Sequence, residues 1–115
     1  MPLFITQGRF TTDAVRGMMA TPENREEAVR ELLAQSGGKL LNYYMTFGEY
    51  DFLIVAEGTT EGMATSVIVA AAGGAITDMK TSLAMTTSEM AAAFRKAREV
   101  SGSYKPAGAA GGSAR

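Results

Sequence analysis

The sequence predicts a single α+β domain in which one four-stranded antiparallel sheet carries helices on one face. Three observations predict it. Residues 2–10 and 39–47 alternate with the period of a strand, whereas residues 12–35 and 60–72 repeat their apolar side chains at helical spacing. Strands and helices follow one another as β-α-β-β-α-β, the order of a split βαβ unit.

Taken in order, the first strand puts Leu3, Ile5, Gln7 and Arg9 on one side and Phe4, Thr6, Gly8 and Phe10 on the other. From Thr12 the period changes. Val15, Met18 and Met19, then Val29, Leu32 and Leu33, predict a short helix, a break and a longer helix. Thr21-Pro22-Glu23 reads as the second helix start, with Thr as N-cap, Pro at the first helical position and an acid in the first turn. Gly37-Gly38 should close that helix, because glycine adopts the left-handed C-cap conformation without penalty.

The second strand sets Leu41, Tyr43, Met45 and Phe47 against Leu40, Asn42, Tyr44 and Thr46, and Gly48-Glu49 makes a tight turn. The third, residues 50–57, is apolar on both faces through Phe52, Leu53, Ile54 and Val55, as expected of a central strand. Thr60 is placed to cap a helix with a stripe of Met63, Ala64, Val67, Ile68, Ala71 and Ala72, closed by Gly73-Gly74. Residues 75–86 are the fourth strand, with Thr77, Met79, Thr81, Leu83 and Met85 against Ile76, Asp78, Lys80, Ser82 and Ala84. A last helix follows Ser88 and carries Met90, Phe94 and Ala97. The domain therefore spans residues 1–100, and residues 101–115 read as a flexible Gly/Ala/Ser-rich tail.

This is the ferredoxin-like βαββαβ arrangement with an extra C-terminal helix and the spatial strand order 4-1-3-2. The helix-facing set is expected to be Phe4, Phe10, Leu41, Tyr43, Met45, Leu53, Val55, Met79, Leu83 and Met85. The opposite face then collects Leu3, Ile5, Leu40, Phe52, Ile54 and Ile76 among Gln7, Arg9, Asn42, Tyr44, Asp78, Lys80 and Ser82. Such a face is too apolar to meet only water, so a homodimer or higher homo-oligomer is expected to cover it.

Composition removes several function classes. The net charge of -1 supplies no positive field for a nucleic-acid backbone. With no cysteine and no histidine, disulfides, thiolate nucleophiles, the usual zinc ligands and Ser-His or Cys-His pairs are all missing. The glycine pairs lack P-loop and Rossmann spacing. No metal and no cofactor is therefore expected. The N-terminus lacks a basic region followed by a longer apolar run, and no stretch reaches the roughly 18 apolar residues of a membrane span; a cytoplasmic location without a membrane partner is the expectation.

At the second hairpin the chain reads Gly48-Glu49-Tyr50-Asp51, between Tyr44-Met45-Thr46-Phe47 and Phe52-Leu53-Ile54-Val55. This G-x-Y-D turn followed by an apolar strand resembles the signature of the GYD domain family. Thr6-Gln7-Gly8, Thr21-Pro22-Glu23-Asn24-Arg25, Gly37-Gly38-Lys39 and the strand from Gly74 to Met85 extend the likeness over about residues 1–86. The resemblance implies a dimeric α+β barrel type of fold and carries over no reaction. Residues 58–66 depart from the acidic helix start of relatives. A weaker resemblance is to the effector-binding domain of the leucine-responsive, or feast/famine, regulators, which assemble and bind amino acids between subunits.

The turn also has a physical account of its own. Gly48 is free to take positive φ, Tyr50 offers an amphipathic contact, and Asp51 can accept bonds from backbone amides; alternatively Tyr50 and Asp51 line a ligand cleft. On the open face Arg9 and Asp78 are placed to meet as a cross-strand ion pair. The sharper reading of Gln7, Arg9, Asn42, Tyr44, Asp78 and Lys80 is a polar ligand site at the subunit interface. Arg9 or Lys80 would hold an anionic group, Tyr44 stack on the ligand and Asp78 orient it. The function expected is a homo-oligomeric binding or interaction module for a small organic or anionic ligand. The alternative is a metal-independent monooxygenase- or isomerase-like enzyme using Tyr44, Asp78 and Arg9.

Overall fold

The computed structural model describes residues 1–108; of the tail expected over 101–115, residues 109–115 lie outside the described part. Its elements are β1 (Leu3–Phe10), α1 (Thr12–Ala20), α2 (Glu26–Gln35), β2 (Lys39–Met45), β3 (Phe52–Glu57), α3 (Thr60–Ala72), β4 (Ile76–Ala84) and α4 (Thr87–Ser101). The sheet runs β2-β3-β1-β4 with every neighbouring pair antiparallel, as the ferredoxin-like reading required.

Threonine hydroxyls start three of the helices. Thr11, Thr59 and Thr86 accept from the amides of Ala14, Gly62 and Glu89, each meeting one donor that a helix N-terminus cannot pair internally. The caps at Thr59 and Thr86 therefore replace those expected near Thr60 and Ser88. The Thr21-Pro22 start fails as well: Thr21 closes α1, donating its amide to the Gly17 carbonyl, and α2 begins only at Glu26, whose amide the Asn24 side chain accepts. Two acids in the first turn, Glu26 and Glu27, favour that later start. Gly37 does end α2 in the left-handed region, at φ 83°.

Register decides which sheet face is the core. Phe4 stands between Ala56 and Leu83, Thr6 between Ile54 and Thr81, and Gly8 opposite Phe52. The buried cluster is Phe4, Leu33, Leu40, Ala56 and Met63, with Val29, Tyr43 and Ile54 packed on it. The faces of β3 are thus the reverse of those expected: Phe52 and Ile54 point to the helices, and Leu53 and Val55 share the open face with Leu3 and Ile5. Bulges cause the other two corrections. One in β2 between Leu40 and Asn42 leaves Leu40 3% exposed and Leu41 38% exposed, reversing that pair while Tyr43 keeps its core side. The second faces Gly8: Gln7 pairs with Lys80 and Arg9 with Thr77, so Asp78 and Met79 together oppose one residue. Asp78 adopts φ 54°, which resets the alternation and brings Ile76 beside Phe10 on the helix side.

The α3 stripe is buried at Gly62, Met63 and Ser66, while Ile68, expected within it, is exposed. Residues 85–108 belong to a separate compact unit, in which Thr86 and Glu89 close a reciprocal capping box for α4 and Met90 and Phe94 are exposed. Among the described residues no helix is long and apolar enough to cross a membrane.

Phe52 is 1% exposed, and its ring lies where a Gly8 side chain would begin: a Cβ at Gly8 would stand 2.7 Å from Phe52 Cζ. Phe10 and Tyr43 flank the same ring at centroid distances of 5.3 and 6.4 Å. Gly8→Ala should therefore destabilise the fold by about 1–3 kcal/mol, since a backbone Cβ cannot step aside. A urea midpoint equal to that of the wild type would contradict this packing.

Candidate functional site

The hairpin between β2 and β3 is fastened to β1 by Asp51. Its amide donates to the Gly8 carbonyl at 2.8 Å, and its Oδ2 accepts from the Phe10 amide at 2.9 Å. β3 starts one residue later, so the carboxylate extends the ladder by one step beyond the strand and pairs an amide that would otherwise be left over. Thr46 holds the other side of the turn, its amide donating to the Asp51 carbonyl and its hydroxyl to the Tyr50 carbonyl. Gly48 does not take the positive φ expected of it, and a Cβ there would meet nothing within 4 Å. The side-chain bonds of Thr46 and Asp51 shape this turn, without help from a left-handed glycine.

Pinning the turn places Tyr50 beside β1 and β4. The Arg9 guanidinium carbon lies 5.6 Å from the centre of the Tyr50 ring and Lys80 Nζ 5.9 Å from it. Arg9 Nε donates to the Glu49 carbonyl at 2.8 Å, which fixes the guanidinium plane by one edge. Arg9, Tyr50, Asp78, Met79 and Lys80 line a cleft of about 300 Å³. Among the described residues neither Arg9 nor Lys80 enters a salt bridge, so the expected Arg9–Asp78 ion pair is not formed. Lys80 lies over the ring face without closing a hydrogen bond to the hydroxyl. Proximity to the Tyr50 hydroxyl does most to raise its ammonium pKa, the electrostatics of Tyr50 and Glu49 add to this, and desolvation and then Arg9 oppose it.

Of the residues singled out from the sequence, Arg9, Asp78 and Lys80 come together, and Gln7 pairs with Lys80 in the ladder next to them. Asn42 and Tyr44 do not join them. They lie on β2, at the opposite edge of the sheet, three strand spacings or about 14 Å from β4, where the Asn42 amide reaches the Tyr44 hydroxyl at 3.4 Å. Within one chain Tyr44 therefore lies apart from Lys80, and the ring beside Lys80 and Arg9 is that of Tyr50. The sequence left Tyr50 and Asp51 between a turn-fixing role and a cleft lining; Tyr50 lines the cleft, whereas Asp51 bonds backbone. Among the described residues no cluster of acids could hold a metal ion.

The model of the GYD domain matches residues 4–94 of the chain. Among curated proteins no sequence matches. A solved structure described as the crystal structure of FFRP-DM1 is similar at 20% identity, covering 74% of this chain and 100% of that one, with a TM-score of 0.47.

Asp51→Ala leaves the half-buried Phe10 amide without its acceptor and should cost about 1–3 kcal/mol in denaturant unfolding. Asp51→Asn keeps an acceptor oxygen and should recover most of that loss; equal losses in the two variants would refute the role given to the carboxylate. Removing the Tyr50 hydroxyl in Tyr50→Phe should lower the Lys80 pKa toward the ordinary lysine value, as followed by NMR titration of its ε carbon. An unmoved titration would refute the coupling.

Proposed function

This chain belongs to the GYD domain family, and we propose that it acts as a homo-oligomeric binding module, pairing through the open face of its sheet and holding a small anionic ligand at Arg9, Tyr50 and Lys80. The observation that carries the ligand reading is a pair of cations over one ring, beside a cleft and free of any carboxylate partner among the described residues. An anion there gains two charge-assisted contacts, and the Tyr50 face offers a flat surface to its body.

Pairing is supported by Leu3, Ile5, Leu53 and Val55, which are half-buried and sit together on the sheet face away from the buried cluster. A second copy laid on them removes apolar surface from water at about 25 cal/mol per Å². Arg9 and Lys80 share that face, so each cleft would lie at the rim of the contact and the partner would limit its access to water. Because the Lys80 pKa is raised, its charge is present at neutral pH and is lost only as pH rises through that raised value.

Sedimentation equilibrium should find a dimer or larger assembly at micromolar concentration, which Leu53→Glu converts to monomer. Calorimetric titration with succinate should show binding that weakens about tenfold in Arg9→Met and again in Lys80→Met. Affinity should stay level through neutral pH and decline in the alkaline range. A wild-type monomer, or succinate affinity indifferent to both cations, would refute the corresponding half of the reading.

A further inference from the structure

The helix-covered side of the sheet has a cleft of its own, apart from Arg9 and Lys80. No residue of α1 is buried, yet Ala14, Gly17 and Met18 line a space of about 390 Å³ together with Phe10, Phe52, Ile54 and Ile76 of the sheet. That volume lies in the range of roughly 300–1,000 Å³ that holds small organic molecules. A smaller apolar cavity of about 60 Å³ shares the walls Val29, Phe52, Ile54 and Ile76, so the apolar lining continues inward between sheet and helices. The helix α1 is thus a wall with no fully buried residue of its own, over a floor of aromatic and branched side chains.

Gly17 is a second sign. Glycine in mid-helix is disfavoured, and a Cβ there would meet nothing within 4 Å, so no contact inside the free chain requires the missing side chain. Gly17 lines the cleft, and a Cβ there would stand in open space.

The polar groups lining this cleft are one cation, Arg25, one carboxylate, Glu23, and the hydroxyls of Thr21 and Tyr43. Arg25 is half-buried, and its salt bridge among the described residues is with Glu23, at 3.1 Å in an exposed contact. The Tyr43 hydroxyl has no hydrogen-bond partner among the described residues; burial pushes its pKa up, against the opposing pull of Arg25, so it remains a protonated donor. Glu23 lines the same cleft, which disfavours a ligand with several negative charges.

We propose that this cleft binds an amphipathic monocarboxylate, its aromatic or branched body lying under α1 against Phe10, Phe52 and Ile76 and its carboxylate taken by Arg25 and the Tyr43 hydroxyl. The bound body supplies the packing that α1 lacks, so occupancy and ordering of α1 are one event. The cleft lies on the opposite side of the sheet from the anion site described above and stands independently of it.

The test uses the full chain with 4-phenylbutyrate as probe, read by calorimetry and by amide exchange. Binding should slow exchange across α1. The uncharged 4-phenylbutanol, and the Arg25→Gln variant with the acid, should each bind at least about tenfold more weakly. Gly17→Leu fills the cleft while favouring the helix, so it should melt no earlier than the wild type and yet lose binding. Arg9→Met should bind the probe as the wild type does. Equal affinity for acid and alcohol, protection absent from α1, no binding at millimolar probe, or loss in Arg9→Met with retention in Gly17→Leu would each overturn the assignment.

Discussion

Where Phe52 meets Gly8, a buried ring rests directly on backbone, and the neighbouring Asp51 bonds that same strand on both its carbonyl and amide sides. These contacts set the register of β3 on β1. A one-residue slip would carry Phe52 to the opposite face and leave the Phe10 amide unpaired. Ala56 under Phe4, Leu40 beside Ala56 and Tyr43 beside Ile54 all follow from that register, so the buried cluster inherits its composition from one seam.

The same seam organises the polar cleft. Gly8 has Phe52 on one neighbouring strand and a bulge of two residues on the other, so β4 changes its alternation at that point. Lys80 stays on the open face with Gln7, and Arg9 reaches it one step further along β1, while Asp51 holds the turn that carries Tyr50 between them. The glycine that admits the buried ring on one side thus faces a bulge on the other, beside the two cations. Stability of the hairpin and geometry of the cleft are coupled through Asp51.

The two sides of the sheet divide their chemistry. On the open side charged ends project from an apolar surface, which suits a partner surface and a small anion. On the helix side an unfilled space under α1 combines aromatic walls with Arg25 and Tyr43, which suits an apolar body with one charge. Tyr43 lies on the core side of β2, whereas Tyr50 precedes β3 in the turn, outside its alternation, beside Arg9 and Lys80.

Local pattern was enough for element type, strand order and the G-x-Y-D turn, since period-two alternation, helical spacing and glycine-closed helices are each written in short stretches of chain. It was enough as well for Arg9, Asp78 and Lys80 as neighbours, because adjacency of β1 and β4 follows from the order of elements. It could not orient β3, where Phe52, Leu53, Ile54 and Val55 are apolar in both alternations and no period distinguishes inside from outside. Nor could it foresee bulges at Leu41 and Asp78, which arise when one strand is longer than its partner across a contact. The sequence alone determined a ferredoxin-like domain whose sheet carries helices on one face and a mixed apolar and polar surface on the other. Only the tertiary structure decided that Leu53 and Val55, in place of Phe52 and Ile54, lie on that face, because the close approach of Phe52 to Gly8 exists only when the two strands are paired.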